Sequence, residues 1–460
     1  MLFLVQWSPD ELNNFIVLLD YLLLPLYLFI IYVAADFIRD NMYPLGHPWR
    51  PYFMPALSAK IIGAIFIGLI YRYYYGGGDT ANYFFHAKVI NGAFGESVIK
   101  WINLLLRIPP WYDGAYSDYI SQMWWYEAPA EYTVSSITAI LGTITFTTYL
   151  PIAVLFSVIS FTGVWALFRT FATKYPQFTK QIAWCTLFIP STIMWGSGIF
   201  KDTLCMFGLG WLTHSVFRML MNKDYSIGNI IMAIISFWLI SSVKLYILLA
   251  FIPALLLWIL FTYSHRIRNG MTRTAVKLMV VMGCIVGFLF FAQKFAVELG
   301  KYSLTNMAQT SYTTSSYIAA VSSDGGSAYH LGSDDPSLSG MIKKFPLAVN
   351  VTLFRPYLWE TRKPFQLLNA LEATMFMWIT LKILFTIGFK KVRKTIAEDP
   401  TIQFCLIFAV IFAFAVGLSS GNFGALSRYR IPCLPFYGMA LVLIFYKHNP
   451  LEKNIFSFKR

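Results

Sequence analysis

Charge is what this chain has least of. Only 13% of its 460 residues are Asp, Glu, Lys or Arg, about half the share of an average soluble domain, which excludes an ordinary water-soluble globule. Acids are scarcer than bases, 22 against 36. The five cysteines (Cys185, Cys205, Cys284, Cys405 and Cys433) lie in or against apolar runs without metal-ligand spacing, so they read as small packing residues. No Gly-x-x-x-x-Gly-Lys-Ser/Thr loop occurs, which excludes ATP-driven pumping by this chain alone. No Asp-x-Asp motif or nucleotide-binding pattern occurs either, against a soluble nucleotide-sugar transferase. No basic leader precedes a cleavable signal, so the first apolar segment is expected to stay as an anchor.

What is abundant is apolar and aromatic: 57% hydrophobic residues and 18% Phe, Trp and Tyr. Runs of roughly 17–25 mostly apolar residues follow one another, the length a helix needs to cross a hydrocarbon core. The fold class expected is an all-α polytopic membrane protein, one integral-membrane domain over 1–460 with about eleven transmembrane helices. The expected spans are 15–35, 56–73, 149–168, 182–194, 204–220, 230–242, 246–263, 275–291, 371–387, 404–418 and 434–446.

The net charge of +14 does not make a nucleic-acid site, because the bases fall in alternate short loops. One set holds Arg39 and Arg50; Arg169, Lys174 and Lys180; Arg218 and Lys223; Arg266, Arg268 and Arg273; Lys390, Lys391, Arg393 and Lys394; and the C-terminal tail. The positive-inside rule makes these loops cytoplasmic, with the N-terminus outside and the C-terminus inside. Two long outer loops follow. Residues 74–148 are rich in Trp and Tyr and carry helical periodicity, which predicts amphipathic interfacial helices. Residues 292–370 include a Ser/Thr/Gly-rich stretch with Asp324, Asp334 and Asp335, read as a solvated loop. Together the two loops are expected to form a cap.

On this topology the unusual polar residues gather on the outer side, and the middles of the spans are nearly free of charge. Asp79 follows Gly76-Gly77-Gly78; Lys201 and Asp202 end the stretch Pro190–Asp202; Lys244 lies in a tight hairpin; Arg355 and Glu360 bracket Arg-Pro-Tyr-Leu-Trp-Glu; Arg428 and Arg430 lie in Ser-Arg-Tyr-Arg-Ile-Pro. Outer basic residues run against the positive-inside bias, and an anionic ligand at the outer surface is one reason for them. Each also has a plainer role. Asp79 can cap the helix it precedes, Lys201 and Asp202 can pair locally, Lys244 can snorkel to headgroups, Glu360 can pair with Arg355, and Arg428 and Arg430 can hold lipid phosphates. His86 and His330 are isolated.

The spacing Asp79-x-x-x-Tyr83-x-x-x-Ala87 after an early span resembles the GT-C superfamily of integral-membrane glycosyltransferases. Ile189-Pro190-Ser191 through Trp195, Ser197, Lys201 and Asp202 is similar to the loop with a second acidic position, and Ser427–Pro435 is similar to the Arg-Tyr-Arg-x-Pro-x-x-Pro element of bacterial members. Arg355–Glu360 resembles a segment of bacterial envelope-polysaccharide proteins. The chain departs from the pattern in an extra span before the Asp79 loop and in a single acid where many members carry a pair.

The resemblance implies transfer of a sugar, with inversion, from a polyprenyl-phosphate carrier to a glycan, lipid or protein acceptor at the outer face of a bacterial inner membrane. Asp79 would serve as general base. Arg428 and Arg430, with Lys201, Lys244, Arg355, Glu360 and Tyr83 behind them, would bind the donor. Asp202 would orient the acceptor, or share a divalent cation, Mg or Mn, with Asp79. Membrane lipids are the further partners, and nucleic acid is not one. A polysaccharide polymerase or ligase using lipid-diphosphate repeat units is the nearest rival, followed by a flippase or transporter and by a scaffold without chemistry.

Overall fold

The structure is a computed structural model that describes residues 14–264 and 337–449 except 362–363, with short stretches between 269 and 332. In chain order the main helices are α1 (Leu18–Met42), α2 (Arg50–Tyr73), α3 (Asp79–Gly92), α4 (Val98–Leu105), α5 (Pro129–Ile144), α6 (Tyr149–Lys174), α7 (Thr179–Leu187), α8 (Pro190–Trp195), α9 (Lys201–Val216) and α10 (Ile227–Ser264). They continue with α11 (Phe345–Phe354), α12 (Pro364–Ile387), α13 (Phe389–Glu398), α14 (Pro400–Ser420), α15 (Phe423–Tyr429) and α16 (Leu434–His448).

Seven of the described helices are long and apolar enough to cross a bilayer: Leu18–Met42, Arg50–Tyr73, Tyr149–Lys174, Lys201–Met221, Ile227–Ser264, Gln366–Ile387 and Pro400–Ser420. The pair α15 and α16, bent by 69°, makes an eighth if it counts as one span. The protein is an all-α polytopic membrane protein, and among the described residues the spans number seven or eight rather than the expected eleven. The expected span 182–194 is two short helices, because Pro190 starts α8 where α7 has ended. Nine residues of α7 extend only about 14 Å, under half of a hydrocarbon core of about 30 Å. The expected spans 230–242 and 246–263 are the two arms of α10, broken at Lys244 (φ −148°, ψ 73°). Unbroken, its 38 residues would reach about 57 Å. The expected span 275–291 lies mostly outside the described residues, as do His330, Asp324, Asp334, Asp335 and much of 292–327.

The chain divides into two compact units: Met1–Thr179, Thr192–Phe217 and Tyr225–Leu245 form the first, and Lys180–Ser191, Arg218–Asp224 and Tyr246–Arg460 the second, each taken over its described residues. In the first unit, α6 and α9 touch backbone to backbone. A Cβ at Gly210 would fall 1.8 Å from the Gly163 carbonyl oxygen, and one at Gly163 would fall 2.3 Å from Phe207 Cα. Between apolar helices in lipid, such small-residue crossings supply van der Waals contact that water expulsion cannot. Helix α3 is buried along most of its length, whereas α4 presents Val98, Ile99 and Ile102 outward. In the second unit, Trp258 stacks on Phe404 at 4.7 Å, and Phe408 meets Phe436 edge-on at 4.8 Å, joining the second arm of α10 to α14 and α16.

Gly210→Ala is expected to cost about 1–3 kcal/mol by overpacking and to lower the melting temperature in detergent. Gly228→Ala, whose Cβ would meet nothing within 4 Å, should change stability by less than about 0.5 kcal/mol. Equal melting temperatures for the two variants would contradict the crossing.

Candidate functional site

At one end of α2 the chain turns through three glycines in succession, Gly76 (φ 64°), Gly77 (φ 121°) and Gly78 (φ 119°). Side chains rarely adopt these conformations, and a Cβ at Gly78 would strike the Tyr71 ring at 2.9 Å. The turn delivers Asp79, part-buried, as the first residue of α3. Next to it, Thr80 hydrogen-bonds the Tyr149 hydroxyl at 2.7 Å, tying the start of α3 to α6.

The segment 196–202 reaches the same end of α2. Tyr71 packs on Phe200 with ring centroids 5.4 Å apart, and a Cβ at Gly198 would meet Ile67 Cγ2 at 2.9 Å. The segment is anchored by Lys60, fully buried near the middle of α2. Its ammonium donates to Thr192 O at 2.9 Å, Gly196 O at 2.8 Å and Ser160 Oγ at 3.1 Å. Lysine here adds a donor at the carbonyl end of α8, where Thr192 O also accepts from Gly196 N at 3.2 Å. Ser160 Oγ also donates to Gly196 O at 2.7 Å.

Lys201 and Asp202 open α9, and both are held by other parts of the first unit. Lys201 forms an ion pair with Glu131, in the first turn of α5. Asp202 is fully buried and accepts from Lys244 Nζ at 2.5 Å, with the Lys244 side chain only 7% exposed. The break at Lys244 thus coincides with the ion pair. Tyr83 is buried one turn along α3 and packs on Trp125 at 5.1 Å. Of the residues expected at the site, the first unit brings Asp79, Lys201, Asp202 and Lys244 to one end of its bundle and adds Glu131, which the sequence reading missed.

The second unit holds the expected arginines. Arg355 Nε donates to Glu360 Oε1 and Oε2 at 3.1 and 3.0 Å, and Nη2 adds a third contact. The Tyr357 N–H donates to the same carboxylate at 2.8 Å. Burial pushes the Glu360 carboxyl up, and these donors together more than offset that, leaving it below the usual carboxylate value. The Arg355 guanidinium lies 5.1 Å from the Phe423 ring, in the helix that carries the part-exposed Arg428. That helix is set by Gly421 (φ 61°), which ends α14, and by Asn422, whose Oδ1 accepts from Gly424 N and Ala425 N.

Arg430 differs from the expectation. It is fully buried at the bend between α15 and α16, and its Nη atoms donate to Thr352 O, Arg355 O, Asn369 O and Glu372 Oε1. Glu372 also accepts from Ser191 N at 2.8 Å and Ser191 Oγ at 2.7 Å. This is a framework of backbone carbonyls and one buried carboxylate, with Glu372 again unforeseen from sequence. The spans were expected to be nearly free of charge in their middles, and Lys60 and Glu372 are buried charges found within apolar helices among the described spans.

A cation shared by Asp79 and Asp202 finds a poor donor set: Lys244 engages Asp202, and among the described residues no three His, Cys, Asp or Glu side chains gather as metal ligands. No family model matches the chain, and no curated protein or solved structure is significantly similar to it.

The buried Asp202–Lys244 pair makes a double-mutant prediction. Asp202→Asn or Lys244→Met alone leaves a buried charge without its partner and should cost about 3–5 kcal/mol, whereas the pair of changes should cost much less than their sum. Thermal unfolding of the purified variants in detergent reads the coupling, and additive losses would show that the two groups do not depend on each other.

Proposed function

We propose that the protein is a GT-C-like membrane glycosyltransferase. It would take a sugar from a polyprenyl-phosphate carrier and pass it to a glycan, lipid or protein acceptor at the outer face of a bacterial inner membrane. The observation that carries this reading is the three-glycine turn, which places a part-buried carboxylate at the head of α3 and at the same end of α2 as Lys201 and Asp202. No requirement of membrane crossing calls for three left-handed residues followed by an acid.

Asp79 takes the proton of the acceptor hydroxyl. The acceptor oxygen forms its bond to the anomeric carbon as the bond from that carbon to the phosphate oxygen breaks. The carrier phosphate leaves with the electron pair, and cationic side chains stabilise it. Arg428, part-exposed on α15, keeps the phosphate-binding role that the sequence pattern gives it, whereas Arg430 is committed to backbone carbonyls and Glu372 and Arg355 to Glu360. Asp202 and Lys244 act as positioning residues that fix the start of α9, and Lys201 with Glu131 is the adjustable pair, both members being partly exposed.

Transport of a lipid-linked glycan is the second reading, and it draws on Lys60. A buried ammonium within a span, facing the carbonyl end of a short interrupted helix, also suits a translocation site. Against this, three protein acceptors already surround the Lys60 ammonium, as a helix cap requires.

In proteoliposomes Asp79→Asn is expected to lower kcat/KM for sugar transfer by about 10²–10⁴-fold with an unchanged melting temperature. Asp79→Cys should react with a membrane-impermeant maleimide added from outside. Near-wild-type transfer by Asp79→Asn, or labelling only from the cytoplasmic side, would overturn the assignment.

A further inference from the structure

Helix α3 repeats at 3.6 residues per turn, so Asp79, Tyr83 and His86 share one face. His86 is fully buried, and neither ring nitrogen has a hydrogen-bond partner. Whichever tautomer is present, a neutral imidazole carries one N–H donor and one acceptor. Burial keeps it neutral, pushing its pKa down to about 3. Two unmet polar groups in the interior cost about 1–3 kcal/mol each, and native proteins retain few of them. A side chain placed only to fill space would be Phe or Leu.

The surroundings of the imidazole are specific. Trp124 meets it edge-on with centroids 4.6 Å apart, and Trp125 lies at 5.5 Å. Trp125 also packs on Tyr83 at 5.1 Å. Trp124 is 48% exposed, so one large ring on an irregular segment separates the imidazole from the surface. A donor and an acceptor on one ring, beside indole faces, match a polyol with an apolar C–H face. A pyranose supplies both: a hydroxyl can accept from one ring nitrogen or donate to the other, and the C–H face lies against indole.

We infer that His86, Trp124, Trp125 and Tyr83 form a sugar-ring subsite of the Asp79 face of α3, opened by movement of the Trp124 side chain. The inference rests on the glycosyl-transfer reading for its choice of ligand, and its first readout is glycoside binding, measured separately from turnover. In the bound state a hydroxyl satisfies the imidazole, and the sugar is held two turns along the helix from the carboxylate. His86 binds and orients the ring and takes no part in bond making.

The test titrates methyl glycosides of glucose, galactose, mannose and N-acetylglucosamine into the protein in lipid nanodiscs, read by tryptophan fluorescence. At least one glycoside should give a saturable change that is weakened at least tenfold in His86→Phe, while that variant melts no lower than wild type because two unmet polar atoms are gone. His86→Gln, which keeps a donor and an acceptor, should recover part of the affinity. Trp124→Ala, at a half-exposed position, should lose the response even if His86→Phe fails to fold. A wild-type protein indifferent to all four glycosides would leave a buried water as the partner of His86 and overturn the subsite, as would a His86→Phe titration equal to wild type. Glycoside binding without turnover of any lipid-linked donor would remove the transferase reading and leave the subsite standing. Donor turnover with wild-type kinetics in His86→Phe and Trp124→Ala would remove the subsite alone.

Discussion

Among the described residues, the buried charges reach the points where a helix begins, ends or breaks, and the rest of the structure depends on that coincidence. A backbone that leaves helical geometry within an apolar environment exposes carbonyl and amide groups that lipid cannot satisfy. The described residues meet the requirement with charged side chains. Asp20 accepts from Leu150 N at the start of α6. Lys60 caps the carbonyl end of α8. Arg430 gathers the carbonyls of Thr352 and Arg355 at the end of α11. Lys244 and Asp202 pair where α10 breaks and α9 starts. For Asp20, Lys60 and Arg430 the backbone groups they satisfy offset part of the cost of burying a charge, and Lys244 and Asp202 offset it through each other.

This constraint sorts the polar residues into two sets. Lys60, Lys244, Asp202, Arg430 and Glu372 are held by two or more elements of the fold, so their removal is felt as instability before it is felt as lost chemistry. Asp79, Lys201, Glu131, Arg355 and Arg428 keep partial exposure, which a group needs if it is to meet a substrate. Within the first unit the cluster near the end of α2 counts three carboxylates (Asp79, Glu131, Asp202) and two ammonium groups (Lys201, Lys244), a balance suited to accepting a proton and poorly suited to holding a phosphate.

The membrane class was legible because hydropathy needs only composition and run length. Helix ends were less so: the apolar run 204–220 begins after Lys201 and Asp202, yet those charged residues are the first turn of α9, since an acid at a helix N-terminus is favoured where a hydropathy window sees a loop. The run 182–194 looked continuous because its average hides Pro190. Asp79 stood out through its glycines, whose conformational meaning is local and readable. Lys60, Glu131 and Glu372 did not, because their partners lie 58 to 181 positions away and no local pattern announces a contact of that range.

The most direct measurement of the central claim is the lipid product formed by purified protein offered a panel of polyprenyl-phosphate monosaccharides with candidate acceptors, followed by mass spectrometry. The account predicts that one donor is converted to polyprenyl phosphate as its sugar appears on an acceptor. Consumption of lipid-diphosphate repeat units alone, or of no donor at all, would contradict it.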